Sequence, residues 1–477
     1  MHKVATICLL LGLLLGPPAV MADNGFSVWF ENFKKTATDA ELHAFLYAMP
    51  KGGDLHQHLS GSVFVEWWWQ LALNETEHGD VFYTRLNIGH CQPLEDITRA
   101  GDTNLMFQTI AAYRYQRLSA CEQAKFRRLA DLTQQEQEAW MNSIRLDKAH
   151  EGRDEFFEKH WQRLGDLTAN PWIRAEALAL NIKAFADEGL VYLEPQLTLL
   201  GYRDTKGEAI PPSVVADVIT HRLAQPDLRE VGMTLRFQQA ILRFVPSAET
   251  DLVQAFAIVA SQPLWVGVNL VGREDDDRGY PLRFLETLRQ LRQTHADVRL
   301  SIHAGEVDEP NFHIRDTLLL GAERIGHGLN LMSDPTTLVQ MRQGPYLIEI
   351  NLISNLLLEY VENYRQHPFP EFLRTGIPVA LSTDDRGMWD STMTDEFFVA
   401  VRHFDLSWSE IQRLVRNSLQ YAFLPDKEKA QLLNNLALRS QAFEARFMDV
   451  GAEEALSRVK SPKRGFVCRK YQLCAGD

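Results

Sequence analysis

Asp54-Leu55-His56-Gln57-His58-Leu59-Ser60-Gly61 is the stretch on which the reading of this chain turns. Taken as a strand, it alternates its side chains, so His56 and His58 face one side while Leu55, Gln57 and Leu59 face the other. Two imidazoles on one face, two residues apart, can grip a single metal ion, because neutral imidazole suits zinc and its neighbours. The same pattern also fits a pair of strand-end histidines satisfied by hydrogen bonds, so it needs support from elsewhere in the chain.

That support comes from three later stretches, each at the end of an expected strand: Ser301-Ile302-His303-Ala304-Gly305-Glu306, Arg324-Ile325-Gly326-His327-Gly328 and Ser382-Thr383-Asp384-Asp385. Each has a bland reading. His303 could be a core histidine, Glu306 an acid favoured by a helix N-terminus, and Asp384-Asp385 a helix cap. Together those readings fail, because clustering so many ionisable groups is costly unless they bind a cation or do chemistry. His78, His160, His295, His313 and His403 have no strand-end placement and read as surface or capping residues.

Working outward, short apolar runs alternate with helical stretches. After the first strand, the runs 190–197, 230–237, 264–271, 298–303, 324–327, 346–351 and 377–383 complete eight strands. This spacing predicts an α/β fold of the (β/α)8 TIM type, in which chemistry sits at the C-terminal ends of the strands. An open doubly wound sheet is the other candidate, but no GxGxxG follows a strand. Residues 62–190 hold no convincing core strand and read as a helical, cysteine-bearing insertion, with helices over 124–143 and 174–188. The chain after Thr394 reads as helical to about Gly451, and residues 461–477 as a basic, irregular tail. Residues 23–460 are therefore expected to form one barrel domain with the insertion as a cap.

The first 22 residues carry Lys3, an apolar run from Ile7 to Gly16, and small residues before Asp23, the pattern of a cleaved secretory signal. The apolar run is shorter than the ~20 residues a membrane span needs. Export to a periplasm or the outside is expected, with a soluble product. Loss of Lys3 takes the formal charge from −14 to −15. An acidic chain without a basic block argues against nucleic acid or an anionic membrane as partner, though not against a nucleoside. Four cysteines then remain, Cys91, Cys121, Cys468 and Cys474, an even number that favours disulfides in an exported chain. Of three pairings, the simplest joins chain neighbours.

The phrases MPKGGDLHQHL, VYLEPQ, LVGRED, SIHAGE, RIGHG, ISN and STDD, in this order, resemble the adenosine deaminase family over roughly residues 48–420. Within it the chain is most similar to the secreted, growth-factor-related (adenosine deaminase 2-like) branch, which also has a signal peptide and a cysteine-bearing insertion. The cytidine-deaminase HxE and PCxxC signature is absent. The resemblance implies one Zn2+ per subunit, held by His56, His58, His303 and Asp384. It implies Glu306 as proton donor to purine N1, His327 as the group holding the attacking water, and Asp385 as partner of N7. Gly272 would offer its backbone N–H to N3. Ser60 and Glu194 are the remaining candidates for substrate contact.

Three departures bear on the sugar: Ser60 stands where cytosolic members carry an acid, Gln196 where strand two usually ends in Arg, and Asn351-Leu352 where Cys-Pro is usual. The insertion around Glu155-Phe156-Phe157 is a candidate replacement. The implied activity is hydrolytic deamination of adenosine and 2′-deoxyadenosine, with a small-molecule purine as partner and a homodimer as one possible assembly. The alternatives are adenine or an N6-substituted adenine nucleoside as substrate, and a growth-factor-like binding protein with a vestigial site. A two-metal phosphotriesterase-like hydrolase would want a strand-end lysine, and none presents itself.

Overall fold

The computed structural model describes residues 25–75, 79–89, 91, 104–307 and 309–474. The expected signal segment and His78 lie outside them. Eight barrel strands follow in chain order: β1 Gly53–Asp54, β2 Tyr192–Leu193, β3 in two segments Thr234–Leu235 and Phe237–Leu242, β4 Trp265–Val271, β5 Arg299–Ala304, β6 Arg324–His327, β7 Leu347–Ile350 and β8 Val379–Leu381. All neighbouring pairs are parallel, from β1 through β2 to β3 and from β3 through β4 to β8. A parallel bridge between Gln57 and Asp384 joins the first strand's end to the last, so the sheet closes on itself. Closure leaves no unpaired edge and brings residues more than three hundred positions apart to adjoining places on one rim.

Helices cover the outside, among them Pro171–Asp187, Ala248–Ser261, Pro335–Gln343 and Trp408–Gln420. The N-terminal pair Gly25–Thr36 and Asp39–Ala48 packs Phe26, Phe30 and Phe45 against Trp408 and Phe443 of the C-terminal helices, with ring centroids 5.0–6.3 Å apart. Thr38 and Glu41 close a capping box at the second helix, a feature worth about 1 kcal/mol. The Lys51 ammonium is buried and donates to the carbonyls of Leu46 (2.6 Å) and Glu188 (2.7 Å), and at 3.3 Å to those of Tyr47 and Met49. It ties two helix ends together immediately before β1.

Several elements differ from the sequence reading. The third strand runs to Leu242 rather than stopping at Phe237. The insertion contains a three-stranded antiparallel sheet, Phe82–Arg85 between Thr109–Ala111 and Phe126–Arg128, so the helix expected over 124–143 begins only at Gln134. The tail is not irregular: Gly465–Tyr471 is a helix whose Phe466 and Val467 are buried. Disulfides join Cys91 to Cys121 and Cys468 to Cys474, the pairing of chain neighbours. Among the described residues no helix is long and apolar enough to cross a membrane.

Candidate active site

The strand ends bring the polar clusters together. His56 and His58 leave β1, and the bridge from Gln57 to Asp384 sets Asp384 beside both, with Asp384 N–H donating to the His56 carbonyl at 2.9 Å. The Asp384 Oδ1 atom lies 3.3 Å from His58 Nε2 and 3.6 Å from His56 Nε2, and His303 Nε2 lies 3.3 Å from His58 Nε2. Tetrahedral ligands at bond lengths of about 2.0–2.2 Å stand about 3.3–3.6 Å apart, so these separations fit a zinc-sized ion. Both His56 Nε2 and Asp384 Oδ1 are buried and make no hydrogen bond. Ligand-type atoms of His56, His303, His327 and Asp384 fall within 4.8 Å of one another, as do those of His58, Asp384 and Asp385. Such a nitrogen-and-oxygen set suits zinc.

The far nitrogens of two of these histidines are already engaged. His56 Nδ1 meets Glu349 Oε2 at 2.8 Å, and His303 Nδ1 meets Asn269 Oδ1 at 2.9 Å. Both partners fix the ring so that the Nε2 lone pair faces the centre. Glu349 is held in turn by Ser301 and by Arg324, whose Nε lies 2.7 Å from Oε1. Gly326 matters here because a Cβ at that position would lie 2.7 Å from the His56 ring. His327 and Asp384 both adopt positive φ, +68° and +54°. Non-glycine residues there carry about 1–3 kcal/mol of strain each, which collects at functional sites.

A cavity of about 710 Å3 opens onto this cluster. Of the expected site residues, His58, His303, Glu306, Asp384, Asp385, Ser60 and Gly272 line it, while His56 and His327 stand behind. Glu306 Oε2 lies 3.6 Å from His327 Nε2. Without a cation in the site, burial first, then Asp384 and Glu274, raises the Glu306 carboxyl well above the usual carboxylate range. Burial, then Asp384 and Glu306, does the same to Asp385. Asp384 moves the other way: burial raises its carboxyl, but the close approach of His56 and His58 and the charges of His56 and His327 outweigh it and hold it well below the usual range.

One expected site residue is not there. Glu194 does not line the cavity; it is buried inside the barrel, accepting from Gln238 Nε2 at 3.0 Å and Phe423 N–H at 3.0 Å, and pairing with Arg324. Its carboxylate neutralises the barrel interior and has no atom to spare for a substrate. Other positions were missed. Glu274 accepts from the backbone N–H groups of Gly305 (2.8 Å) and Glu306 (2.7 Å) and from His313 (2.8 Å), so His313 supports the site instead of decorating the surface. His160 too is buried, with Nδ1 against the Ile144 carbonyl. Nothing in local sequence marks either histidine, since each acts through a partner far away in the chain. The insertion reaches the cavity with Phe156, Phe157 and Glu158, from a π-helical turn over Phe156–His160, and with Trp161, which opens the next helix, Trp161–Leu164.

Fold and site together define a metal-dependent aminohydrolase built on a (β/α)8 barrel. The chain belongs to the adenosine deaminase family, whose match spans residues 121–438. An adenosine deaminase from Serratia proteamaculans is 29% identical over 344 residues, 71% of this chain and 96% of that protein. Among solved structures, an amidohydrolase from Burkholderia ambifaria with bound zinc superposes with a TM-score of 0.59 at 16% identity, covering 84% of this chain and 94% of the other. An N6-methyl-AMP deaminase from Arabidopsis thaliana gives 0.58 at 20% identity, covering 84% and 99%. At these identities the two structures speak for the fold alone.

Proposed function

We propose that this chain is an exported, zinc-dependent deaminase of adenosine and 2′-deoxyadenosine, converting each with water to inosine or 2′-deoxyinosine and ammonia. The observation that carries the reading is the convergence of His56, His58, His303 and Asp384 at the floor of a cavity that also presents Glu306 and Asp385. On this reading those four residues hold the ion. Zinc, when bound, would lower the pKa of water at such a site to about 7.

The rest of the chemistry falls to the chain's own side chains. Glu306, whose carboxyl burial pushes upward, is the group that donates a proton to purine N1 and makes C6 electrophilic. His327 holds the water that attacks C6, and that water's proton goes to the departing amino group. Asp385, whose pKa is also raised, can donate to N7. Gly272 has φ +94° and no side chain, so its N–H can approach N3. Ser60 lies where the sugar would extend. The amino group leaves as ammonia, and the purine keeps the oxygen.

The leader-like first 22 residues and the two disulfides support export to a periplasm or the outside. The cysteine-bearing insertion after the first strand, whose Phe156, Phe157, Glu158 and Trp161 reach the cavity, supports placement in the secreted, growth-factor-related branch. A second reading keeps the chemistry on N6-substituted adenine compounds, suggested by the fold neighbour that deaminates N6-methyl-AMP. Metal analysis with an ammonia-release assay on adenosine tests the proposal. About one zinc per chain with ammonia from adenosine is expected. Full zinc with little ammonia would move the substrate to the second reading, and a folded, metal-free, inactive protein would leave only a binding role.

A further inference from the structure

Arg174, on the helix Pro171–Asp187, is 4% exposed and lines the cavity that holds the metal-ligand cluster. Its Nη1 donates to Ser60 Oγ, its Nε has no partner, and no carboxylate among the described residues pairs with it. Other buried arginines are treated differently. Arg324 faces Glu194 and Glu349, and Arg386 faces Glu188 at 2.9 Å. Arg243 also lacks a paired carboxylate, but it donates to the Leu270 and His303 carbonyls and does not line the cavity. Gln196, whose carbonyl accepts from Leu59 N–H at 3.2 Å next to Ser60, is 3% exposed, lines the same cavity, and leaves both side-chain amide atoms without partners.

A buried guanidinium without a counter-charge is costly, and the cost is recovered when a ligand supplies the anion. A neutral nucleoside would leave that charge uncompensated. With C6 of the purine against the metal ligands, the sugar extends away from them into the rest of the cavity. We propose that Arg174, with Ser60 and Gln196, forms a subsite for a phosphate monoester on the sugar, so that adenosine monophosphates are better substrates than adenosine. This rests on the deaminase reading and adds the substrate's charge to it. The reaction is unchanged in balance: the monophosphate and water give inosine monophosphate and ammonia, and the phosphate ester stays intact.

The zinc-loaded full chain is assayed for ammonia release from adenosine, adenosine 5′-monophosphate and adenosine 3′-monophosphate. One monophosphate is expected to exceed adenosine in kcat/KM by at least tenfold, and which one does so locates the ester on the sugar. Arg174→Gln should lower the monophosphate-to-adenosine ratio at least tenfold. Ser60→Asp, which sets a carboxylate against the guanidinium without removing it, should lower that ratio too and covers the case in which Arg174→Gln fails to fold. Inhibition by the matching inosine monophosphate, compared with inosine, should weaken in step. Adenosine used as well as both monophosphates, or variants that leave the ratio unmoved, would overturn the subsite and leave the deaminase reading intact. Ammonia from none of the three overturns both.

Discussion

His56 Nδ1 lies 2.8 Å from Glu349 Oε2, a contact across the barrel between residues 293 positions apart. The carboxylate orients the imidazole and keeps its Nε2 free to face Asp384, while Arg324 and Ser301 hold the carboxylate. Replacement by Gln keeps an acceptor but removes the charge. Glu349→Gln is therefore expected to weaken zinc binding about 10–100-fold. Competition with a chromophoric chelator reads this directly, and an unchanged affinity would remove Glu349 from the metal's support.

Glu306 is the proposed proton donor, and its backbone N–H is held by Glu274 at 2.7 Å. Glu306→Gln should retain zinc while kcat falls about 10²–10⁴-fold, the usual contribution of a positioned general acid. Full turnover with zinc in place would rule out the acid role.

Zinc removal should also cost stability, because four ligands from β1, β5 and β8 meet at one point. An ion bound only by the folded chain, at 100 times its Kd, adds about 2.7 kcal/mol. The urea midpoint of the chelated protein should drop accordingly and recover when zinc is restored. Equal midpoints with and without zinc would mean that these residues do not share an ion.

The sequence pattern reached the rim of the barrel more surely than its interior. The clusters holding His56, His58, His303, Glu306, His327 and Asp384-Asp385 stand out because ligand-type residues recur at the ends of apolar strands; only the family resemblance singles out His56, His58, His303 and Asp384 among them as ligands. Glu349, Asn269 and Arg324 do not stand out, because a barrel can bury charges that neutralise one another, and no local pattern marks such pairs. For the same reason Glu194 read as a substrate contact and proved to be part of that network. Gln238 and Gln239 broke the apolar run, so the third strand was ended five residues early, yet Gln238 bonds Glu194 and Asn269 inside the barrel. In the insertion, Phe126–Arg128 is only three residues long, too short for an alternating pattern to show.

Lys51 offers a stability test remote from the chemistry. Its three N–H donors are shared among four carbonyls within 3.3 Å of the nitrogen, and it is buried. Lys51→Met fills the volume but leaves those carbonyls without a donor. Each unsatisfied buried group costs about 1–3 kcal/mol, so a loss of at least about 3 kcal/mol is expected in urea unfolding. A loss under about 1 kcal/mol would show that the helix ends do not depend on this side chain.

His367 gives the pH prediction. The Phe369 backbone N–H, which can only donate, lies 3.1 Å from His367 Nδ1, so that nitrogen accepts and the proton sits on Nε2. Nε2–H then donates to Asn355 Oδ1 at 3.0 Å, which turns the Asn355 amide N–H toward His327 Nδ1 at 3.0 Å. His327 must therefore accept at Nδ1 and carry its own proton on Nε2, the atom facing Glu306. Protonating His367 would set two donors against each other, and burial lowers its pKa from 6.5 to about 3. The unfolded chain takes up this proton near pH 6.5 while the folded chain resists it, so stability is fully present above pH 6.5 and declines as pH falls toward 3. His367→Gln removes the titration: the variant should be less stable than the parent at pH 7, and the difference should shrink between pH 7 and pH 4. Because the relay also fixes the His327 tautomer, kcat should fall at pH 7 with zinc content unchanged. A stability difference constant across that pH range would mean that His367 is not held neutral by the fold.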